Sequence, residues 1–112
     1  MLFDKDRYIE IGGIEVGDFR EPKFISEIGV NHLGNLDRMK SMIKLSHDAG
    51  ADFLKFQTYT AETRYDRTTN PKADEFITLL ASWELSREEN IESWSYAKKI
   101  GAKVFTSVYD IG

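Results

Sequence analysis

The chain has 112 residues, of which 41% are hydrophobic and 30% charged, and its net charge is -4. This composition is typical of a single globular domain, and the scattered lysines and arginines form no basic stripe, so nucleic-acid binding is disfavoured. The absence of cysteine excludes disulfides, thiolate zinc sites and a cysteine nucleophile. No apolar run approaches the roughly 20 residues that span a bilayer, and the N-terminus lacks a signal-peptide pattern, so we expect a cytoplasmic protein with no membrane partner.

The first predicted element is a β-hairpin within residues 8–19. Apolar and polar residues alternate there around Gly12-Gly13, which is typical of two strands joined by a primed turn. An isolated hairpin is marginally stable in water, so its apolar residues are expected to cover one end of a larger core. These residues are Tyr8, Ile11, Ile14 and Val16. Residues 1–22 are therefore predicted to be an N-terminal hairpin extension, and residues 23–112 the main segment.

A buried strand is predicted at about residues 23–28, and it carries the carboxylate of Glu27 near its C-terminal end. Gly29 gives the chain backbone freedom to turn sharply after this strand. An amphipathic helix follows, with Asn35 as a candidate N-cap and Gly50 just past its end.

Residues 51–58 are the second predicted strand, in which Phe53, Lys55 and Gln57 share one face. A polar connection over residues 58–73 follows. A long loop at the carboxyl end of a strand is often functional, and the alternative is a mobile surface insertion with scattered charges.

Two helices and a third strand complete the pattern. A short helix is predicted around residues 76–80, and Ser86 and Glu89 form a capping box that opens a helix to about Ile100. The third strand is predicted over residues 103–109. The apolar stripe of the second of these helices is predicted to pack in the core, and it consists of Ile91, Trp94, Ala97 and Ile100.

The order of elements predicts an α/β fold with parallel strands and helices on the outside. Three such strands leave both sheet edges open, and a closed eight-stranded barrel takes roughly 250 residues. We therefore expect the N-terminal portion of a TIM (β/α)8 barrel with about three parallel strands, preceded by the hairpin. A small open α/β domain, flavodoxin-like but shortened, is the structural alternative.

The carboxyl ends of the first two strands are predicted to bring Glu27 and Lys55 together. The inward faces that we assume are Ile25, Glu27 and Gly29 on the first strand, Phe53, Lys55 and Gln57 on the second, and Val104, Thr106 and Val108 on the third. Lysine suits carboxylate and phosphate groups, Gln57 can bind a hydroxyl or an amide, and Glu27 could order a hydroxyl or move a proton. These side chains indicate a site for an anionic, polyhydroxylated ligand. The alternative is a purely structural ion pair.

Three motifs resemble the N-terminal half-barrel of the sialic acid synthase family. They are EIGVNHLGNL at residues 27–36, AGADFLKFQTY at 49–59 and ELSREE at 84–89. The family includes N-acetylneuraminate, legionaminate and pseudaminate synthases and related spore-coat polysaccharide enzymes. The resemblance implies a TIM barrel that condenses phosphoenolpyruvate with an N-acetylated sugar such as N-acetylmannosamine, releasing phosphate and forming a nine-carbon 2-keto acid. It also implies a divalent metal, Mn²⁺ or Mg²⁺, that activates the sugar aldehyde, and a homodimer as the complete enzyme.

The resemblance also implies roles for individual residues. Glu27 would be the catalytic carboxylate and Lys55 would contact phosphoenolpyruvate. Asn31 and His32 would shape the first loop, and Asn70 would reach the sugar. The full set of substrate-binding candidates is Lys55, Gln57, Asn31, His32, Ser107 and Asn70.

The chain departs from the family at the end of the third strand. Many relatives have Ser-Thr-Pro there, with a threonine that helps bind phosphoenolpyruvate, whereas this chain has Ser107-Val108-Tyr109. Either Ser107, Thr106 or backbone groups replace that hydroxyl, or ligand binding differs in this branch.

The family's metal-binding histidines, most of its phosphate contacts and its antifreeze-like C-terminal domain have no counterpart in these residues. We therefore expect no metal ligands in this segment, and no activity from the 112 residues alone. Two other functions remain open: a different TIM-barrel enzyme with a phosphorylated ligand, and a non-catalytic assembly module that joins a partner chain through its open sheet edges.

Overall fold

The computed structural model describes residues 2–109, so the last three residues of the predicted 23–112 segment lie outside the described range. Within this range none of the helices is long and apolar enough to cross a lipid bilayer. In chain order the elements are β1 (Tyr8–Ile11), β2 (Ile14–Gly17), β3 (Ile25–Gly29), α1 (Leu36–Asp48), β4 (Phe53–Thr58), a 3₁₀ helix (Ala61–Thr63), α2 (Ala73–Ala81), α3 (Arg87–Lys99) and β5 (Val104–Val108).

The N-terminal hairpin is confirmed. Strands β1 and β2 pair antiparallel across Gly12-Gly13, whose φ angles of 54° and 82° are those that a primed turn requires. A β-carbon on Gly12 would lie 3.5 Å from Cδ of Lys103, which places the turn beside the amino end of β5. The expected cover of an apolar surface is only partial, because Tyr8 and Ile11 remain 47% and 44% exposed.

The main sheet has the strand order β3-β4-β5, and all its strands are parallel. Each strand therefore lies beside the next one in the sequence, as in a TIM barrel, and this confirms the partial-barrel arrangement. In a flavodoxin-like sheet the first strand lies between the second and the third. The flavodoxin-like alternative is therefore wrong.

Helices α1 and α3 lie side by side over one face of this sheet. The ammonium of Lys40 on α1 forms an ion pair with Glu92 on α3. The apolar core lies between these helices and the sheet, and its buried residues are Ile28, Met39, Ile43, Leu54, Phe56, Leu85 and Ala97.

The predicted helix starts are confirmed by their caps. Oδ1 of Asn35 accepts a hydrogen bond from the backbone N–H of Arg38 at 2.8 Å. At the start of α3 the hydroxyl of Ser86 accepts from the N–H of Glu89 at 3.1 Å, and the Glu89 carboxylate accepts from the N–H of Ser86 at 2.8 Å. This reciprocal pair satisfies two backbone donors that would otherwise lack partners.

The predicted apolar stripe of α3 is partly wrong. Ile91 and Trp94 are 56% and 38% exposed, whereas Ser93 and Ala97 are fully buried. Ala97 belongs to the apolar core, and the hydroxyl of Ser93 is satisfied within the helix, where it donates to the carbonyl of Glu89 at 2.9 Å. Trp94 lies at the border of the core, where its ring meets that of Phe56 edge-on at 5.7 Å.

Candidate functional site

Glu27 and Lys55 form the centre of the candidate site. They are register partners on β3 and β4, so their side chains leave the same face of the sheet, opposite to the helices. Nζ of Lys55 lies 3.0 Å from Oε2 of Glu27. The side chains are 30% and 49% exposed respectively, so both charges are open to a ligand from solvent.

A β-bulge at Ile28 shapes the end of β3. Glu27 pairs with Lys55 and Gly29 pairs with Phe56, so two residues of β3 correspond to one residue of β4. Ile28 is the extra residue of this bulge, and its side chain lies in the core. Gly29 then adopts a φ of 56°, in the left-handed region that favours glycine. The bulge therefore turns the chain immediately after the catalytic candidate.

Three polar side chains converge over Gly29. A β-carbon at this position would lie 3.7 Å from Oε1 of Glu27, 3.8 Å from Nε2 of Gln57 and 3.9 Å from Nδ2 of Asn31. The Asn31 amide is oriented by donating to the carbonyl of Ile28 at 2.9 Å. The structure thus brings together four of the predicted site residues, since Lys55 adjoins the same carboxylate.

The assumed inward face of β5 is wrong. Lys55 pairs in register with Phe105 and Gln57 with Ser107, so these two residues of β5 share the site's face. The ring of Phe105 meets that of Phe53 edge-on at 6.4 Å on this side. The assumed residues Val104, Thr106 and Val108 lie on the helix side instead.

The corrected register affects the two hydroxyls proposed to replace the family threonine. Ser107 lies next to Gln57 on the site's face. Thr106 is on the other face, where its hydroxyl is 2.9 Å from that of Thr58. Of the two candidates, only Ser107 is on the face that carries Glu27 and Lys55.

His32 lies outside this polar cluster. It is 3% exposed, and its Nδ1 accepts a hydrogen bond from the N–H of Gly34 at 3.0 Å, which places the proton of the neutral ring on Nε2. Burial lowers the pKa of His32, and the nearby carboxylate of Glu89 partly offsets this effect. The imidazole thus holds the first loop together, and its contact with a ligand stays a prediction.

Asn70 has a local role at the start of α2. Its Oδ1 accepts from the N–H of Lys72 at 2.9 Å, and its carbonyl accepts from the N–H of Ala73 at 3.1 Å. Its predicted contact with a sugar is not tested by these bonds.

The long loop after β4 is built on ionic and hydrogen-bonded contacts, not on isolated surface charges. Arg67 binds the carboxylates of Glu62 at 2.7 Å and Asp74 at 2.6 Å, so it ties the 3₁₀ helix to α2. In the same loop, Asp66 accepts hydrogen bonds from the hydroxyl and the N–H of Thr68, and these bonds lower the pKa of Asp66.

A separate cleft of about 710 Å³ lies between the end of β4 and α3. Its lining includes Thr58, Leu85, Asn90 and Trp94, and none of the predicted site residues. Within residues 2–109 no three His, Asp or Glu side chains gather in a way that could hold a metal ion. The described residues therefore do not form a metal centre by themselves.

The sequence matches the profile of one protein family and the sequences of several other proteins. The profile of the NeuB family matches residues 42–112. An uncharacterized protein of Methanocaldococcus jannaschii is 37% identical over 103 residues, which cover 92% of this chain and 29% of that protein. The N,N'-diacetyllegionaminic acid synthase of Legionella pneumophila is 30% identical over 95 residues, covering 77% of this chain and 27% of the synthase.

The fold is similar to that of a solved enzyme. The N-acetylneuraminic acid (sialic acid) synthetase of Leptospira borgpetersenii, solved in complex with citrate, superposes with a TM-score of 0.81 at 28% identity. The match covers 94% of this chain and 35% of the synthetase. The chain thus spans about a third or less of the length of the relatives it matches.

Proposed function

The chain belongs to the NeuB family, and we propose that it provides part of the active site of a nonulosonate synthase. The reaction is the condensation of phosphoenolpyruvate with an N-acetylated sugar such as N-acetylmannosamine, which gives a nine-carbon 2-keto sugar acid and phosphate. The observation that carries the proposal is the ion pair of Glu27 and Lys55, with the side-chain amides of Gln57 and Asn31 beside the same glycine, Gly29.

In this proposal Lys55 binds phosphoenolpyruvate. A lysine ammonium is a compact charge suited to a carboxylate or a phosphate, and here it is preoriented by Glu27 at 3.0 Å. Gln57 and Ser107, neighbours on the same face, offer hydrogen bonds to hydroxyl or phosphoryl oxygens.

Glu27 is the proposed catalytic group. Its carboxylate is 49% exposed and accepts from Lys55, so it keeps lone pairs free to order a sugar hydroxyl or to take up a proton. Mn²⁺ or Mg²⁺ remains part of the proposal for the complete enzyme, which we take to be a cytoplasmic homodimer. Because residues 2–109 form no metal centre, none of these residues is assigned a role in binding the metal.

The test uses the protein expressed from its complete reading frame, with manganese. Phosphate release from phosphoenolpyruvate is followed with N-acetylmannosamine and related sugars, for the unaltered protein and for Glu27→Gln and Lys55→Ala. We expect sugar-dependent release that falls at least about 100-fold in both variants, since each removes a group in contact with the reactants.

Lys44→Ala is the matched control, because Lys44 also pairs with a carboxylate, that of Asp48, but on the exposed surface of α1. Its rate should equal that of the unaltered protein. Full activity of Glu27→Gln and Lys55→Ala would remove these residues from the site. No release with any sugar would refute the synthase proposal. The 112-residue chain alone is expected to release no phosphate.

One observation favours an alternative, an assembly module. Apolar side chains are exposed along the β3 edge, where Phe24 is 73%, Ile25 54% and Leu45 69% exposed. An exposed apolar edge is a template for association with another chain. Concentration-dependent assembly by a stably folded but inactive protein would support this alternative.

A further inference from the structure

The loop that follows β4 returns to the end of β5 through a contact between Arg64 and Tyr109. The guanidinium carbon of Arg64 lies 3.7 Å from the centroid of the Tyr109 ring. Arg64 closes the 3₁₀ helix, and its N–H donates to the carbonyl of Ala61 at 3.1 Å. A cation on an aromatic face is attracted by the π electrons, so this contact fixes the position of the guanidinium.

The position of Tyr109 places this cation at the carboxyl end of the sheet. Phe105 and Ser107 share the face of Lys55 and Gln57, and successive side chains of a strand alternate between faces. Tyr109 directly follows the last residue of β5, and the same alternation continued by one residue assigns it to that side, beyond the Gln57–Ser107 pair. Ligands of parallel α/β proteins bind at this end.

Arg64 and Arg67, two arginines of the same loop, differ in their ion pairs. Arg67 is neutralised by Glu62 and Asp74, whereas no ion pair within residues 2–109 includes Arg64. Contact with the π face of Tyr109 does not use the N–H donors of the guanidinium in a hydrogen bond to oxygen, so these donors can bind an anion. The planar fork of the guanidinium is the group that binds carboxylate or phosphate with two parallel hydrogen bonds.

We propose that Arg64, held on the ring of Tyr109, is a second cationic contact for an anionic group of the ligand at the Glu27–Lys55 site. The group is a carboxylate or a phosphoryl group, and it belongs either to phosphoenolpyruvate or to a phosphorylated sugar. The inference rests on the proposed function and adds an anion-binding residue to that site.

The test measures binding as well as turnover, with the protein expressed from its complete reading frame. Calorimetry gives the Kd of phosphoenolpyruvate and of N-acetylmannosamine 6-phosphate, and steady-state rates give KM and kcat. We expect Arg64→Gln to raise the Kd and KM of one of these anions about 10-fold or more, with kcat within about threefold, because the lost contact binds substrate and transition state alike. The anion affected identifies the source of the group.

Three further variants separate charge, stacking and folding. Arg64→Lys keeps the charge without the planar fork and should lose part of the affinity. Tyr109→Leu removes the aromatic support and should weaken the same anion about threefold. Arg67→Gln, the matched control, removes exposed ion pairs of the same loop and should change the melting temperature little while leaving both dissociation constants within about twofold.

Two results would overturn the inference. One is an Arg64→Gln protein, folded by its melting temperature, that binds both anions as tightly as the unaltered protein does. The other is the absence of measurable binding of either anion to the unaltered protein. A loss of anion affinity in Arg64→Gln without turnover on any sugar would instead refute the synthase proposal and support the anion contact.

Discussion

The two faces of the parallel sheet differ in their environment and in their residue types. On the helix side Ile28, Leu54 and Phe56 are at most 1% exposed and pack against α1 and α3. On the other side a charged pair is accompanied by Phe105, which is 38% exposed. The helix side thus specifies the fold with side chains of this chain, while the opposite side keeps charged and amide groups accessible. Most of the apolar packing thus lies on one side of the strands and the charged groups on the other, where Phe53, 6% exposed, is the buried apolar neighbour of the site.

The largest expected effect on stability comes from the helix side. Leu54→Ala should lower the free energy of unfolding by about 3 kcal/mol, because it leaves a cavity in the packed core. The matched change on the other face, Phe105→Ala, should cost only about 1 kcal/mol, since part of this ring is already in contact with water. Urea denaturation followed by tryptophan fluorescence measures both. Equal losses would contradict the distinction between the faces.

Gly29→Ala is expected to have the next largest effect. A side chain at a φ of 56° costs about 1–2 kcal/mol, and the new methyl group would lie among the polar groups of Glu27, Gln57 and Asn31. Gly50→Ala is the control, because its φ is 90° and nothing lies within 4 Å of the added carbon. Both variants should lose stability, but only Gly29→Ala should weaken phosphoenolpyruvate binding measured by calorimetry. Unchanged binding in Gly29→Ala would count against the convergence of ligand groups at this position.

A smaller effect is expected from pH. The pKa of His32 is lowered in the folded protein by burial, so the unfolded chain binds a proton that the folded chain does not. The stability is therefore complete above the ordinary pKa of 6.5 and falls as the pH is lowered below it, by at most about 1.4 kcal/mol per pH unit. Unfolding measured between pH 7.5 and 5.5 should show this slope in the unaltered protein and in His47→Gln. His32→Asn should lack it, and an unchanged slope in that variant would assign the effect to other groups.

The smallest effect on stability is expected at the charged pair. Lys55→Met should change the free energy of unfolding by less than about 1 kcal/mol, because both members of the pair are partly exposed and such pairs contribute little. The same variant should abolish phosphoenolpyruvate binding. A large loss of stability instead would indicate that the pair is structural.

Sequence patterns were sufficient to assign the faces of an element where those faces differ in polarity. In β4 the apolar Leu54 and Phe56 alternate with the polar Lys55 and Gln57, so its faces and its pairing with Glu27 were predictable. The capping box at Ser86 is equally local, since donor and acceptor are three residues apart. These signals need no knowledge of the neighbouring elements.

Patterns failed where both faces are mixed. Strand β5 has at least one apolar residue and a hydroxyl on each side, so its alternation does not distinguish the helix side from the site. In α3 the sequence favoured the large residues Ile91 and Trp94, whereas the fully buried positions hold the small residues Ser93 and Ala97. The bulge at Ile28 depends on a positive φ at Gly29 and on register with β4, and neither can be deduced from one strand alone.

The strand order β3-β4-β5 also bears on how the chain folds during synthesis. Each parallel strand pairs with the one made immediately before it, so no pairing awaits a distant part of the chain. Contacts between nearby segments form faster than those that close long loops, and domains fold progressively as they leave the ribosome. The β3–α1–β4 unit can therefore bury Ile28, Leu54 and Phe56 against Met39 and Ile43 before β5 has been synthesised. In such an order the ion pair of Glu27 and Lys55 is set in register ahead of the residues that complete the site.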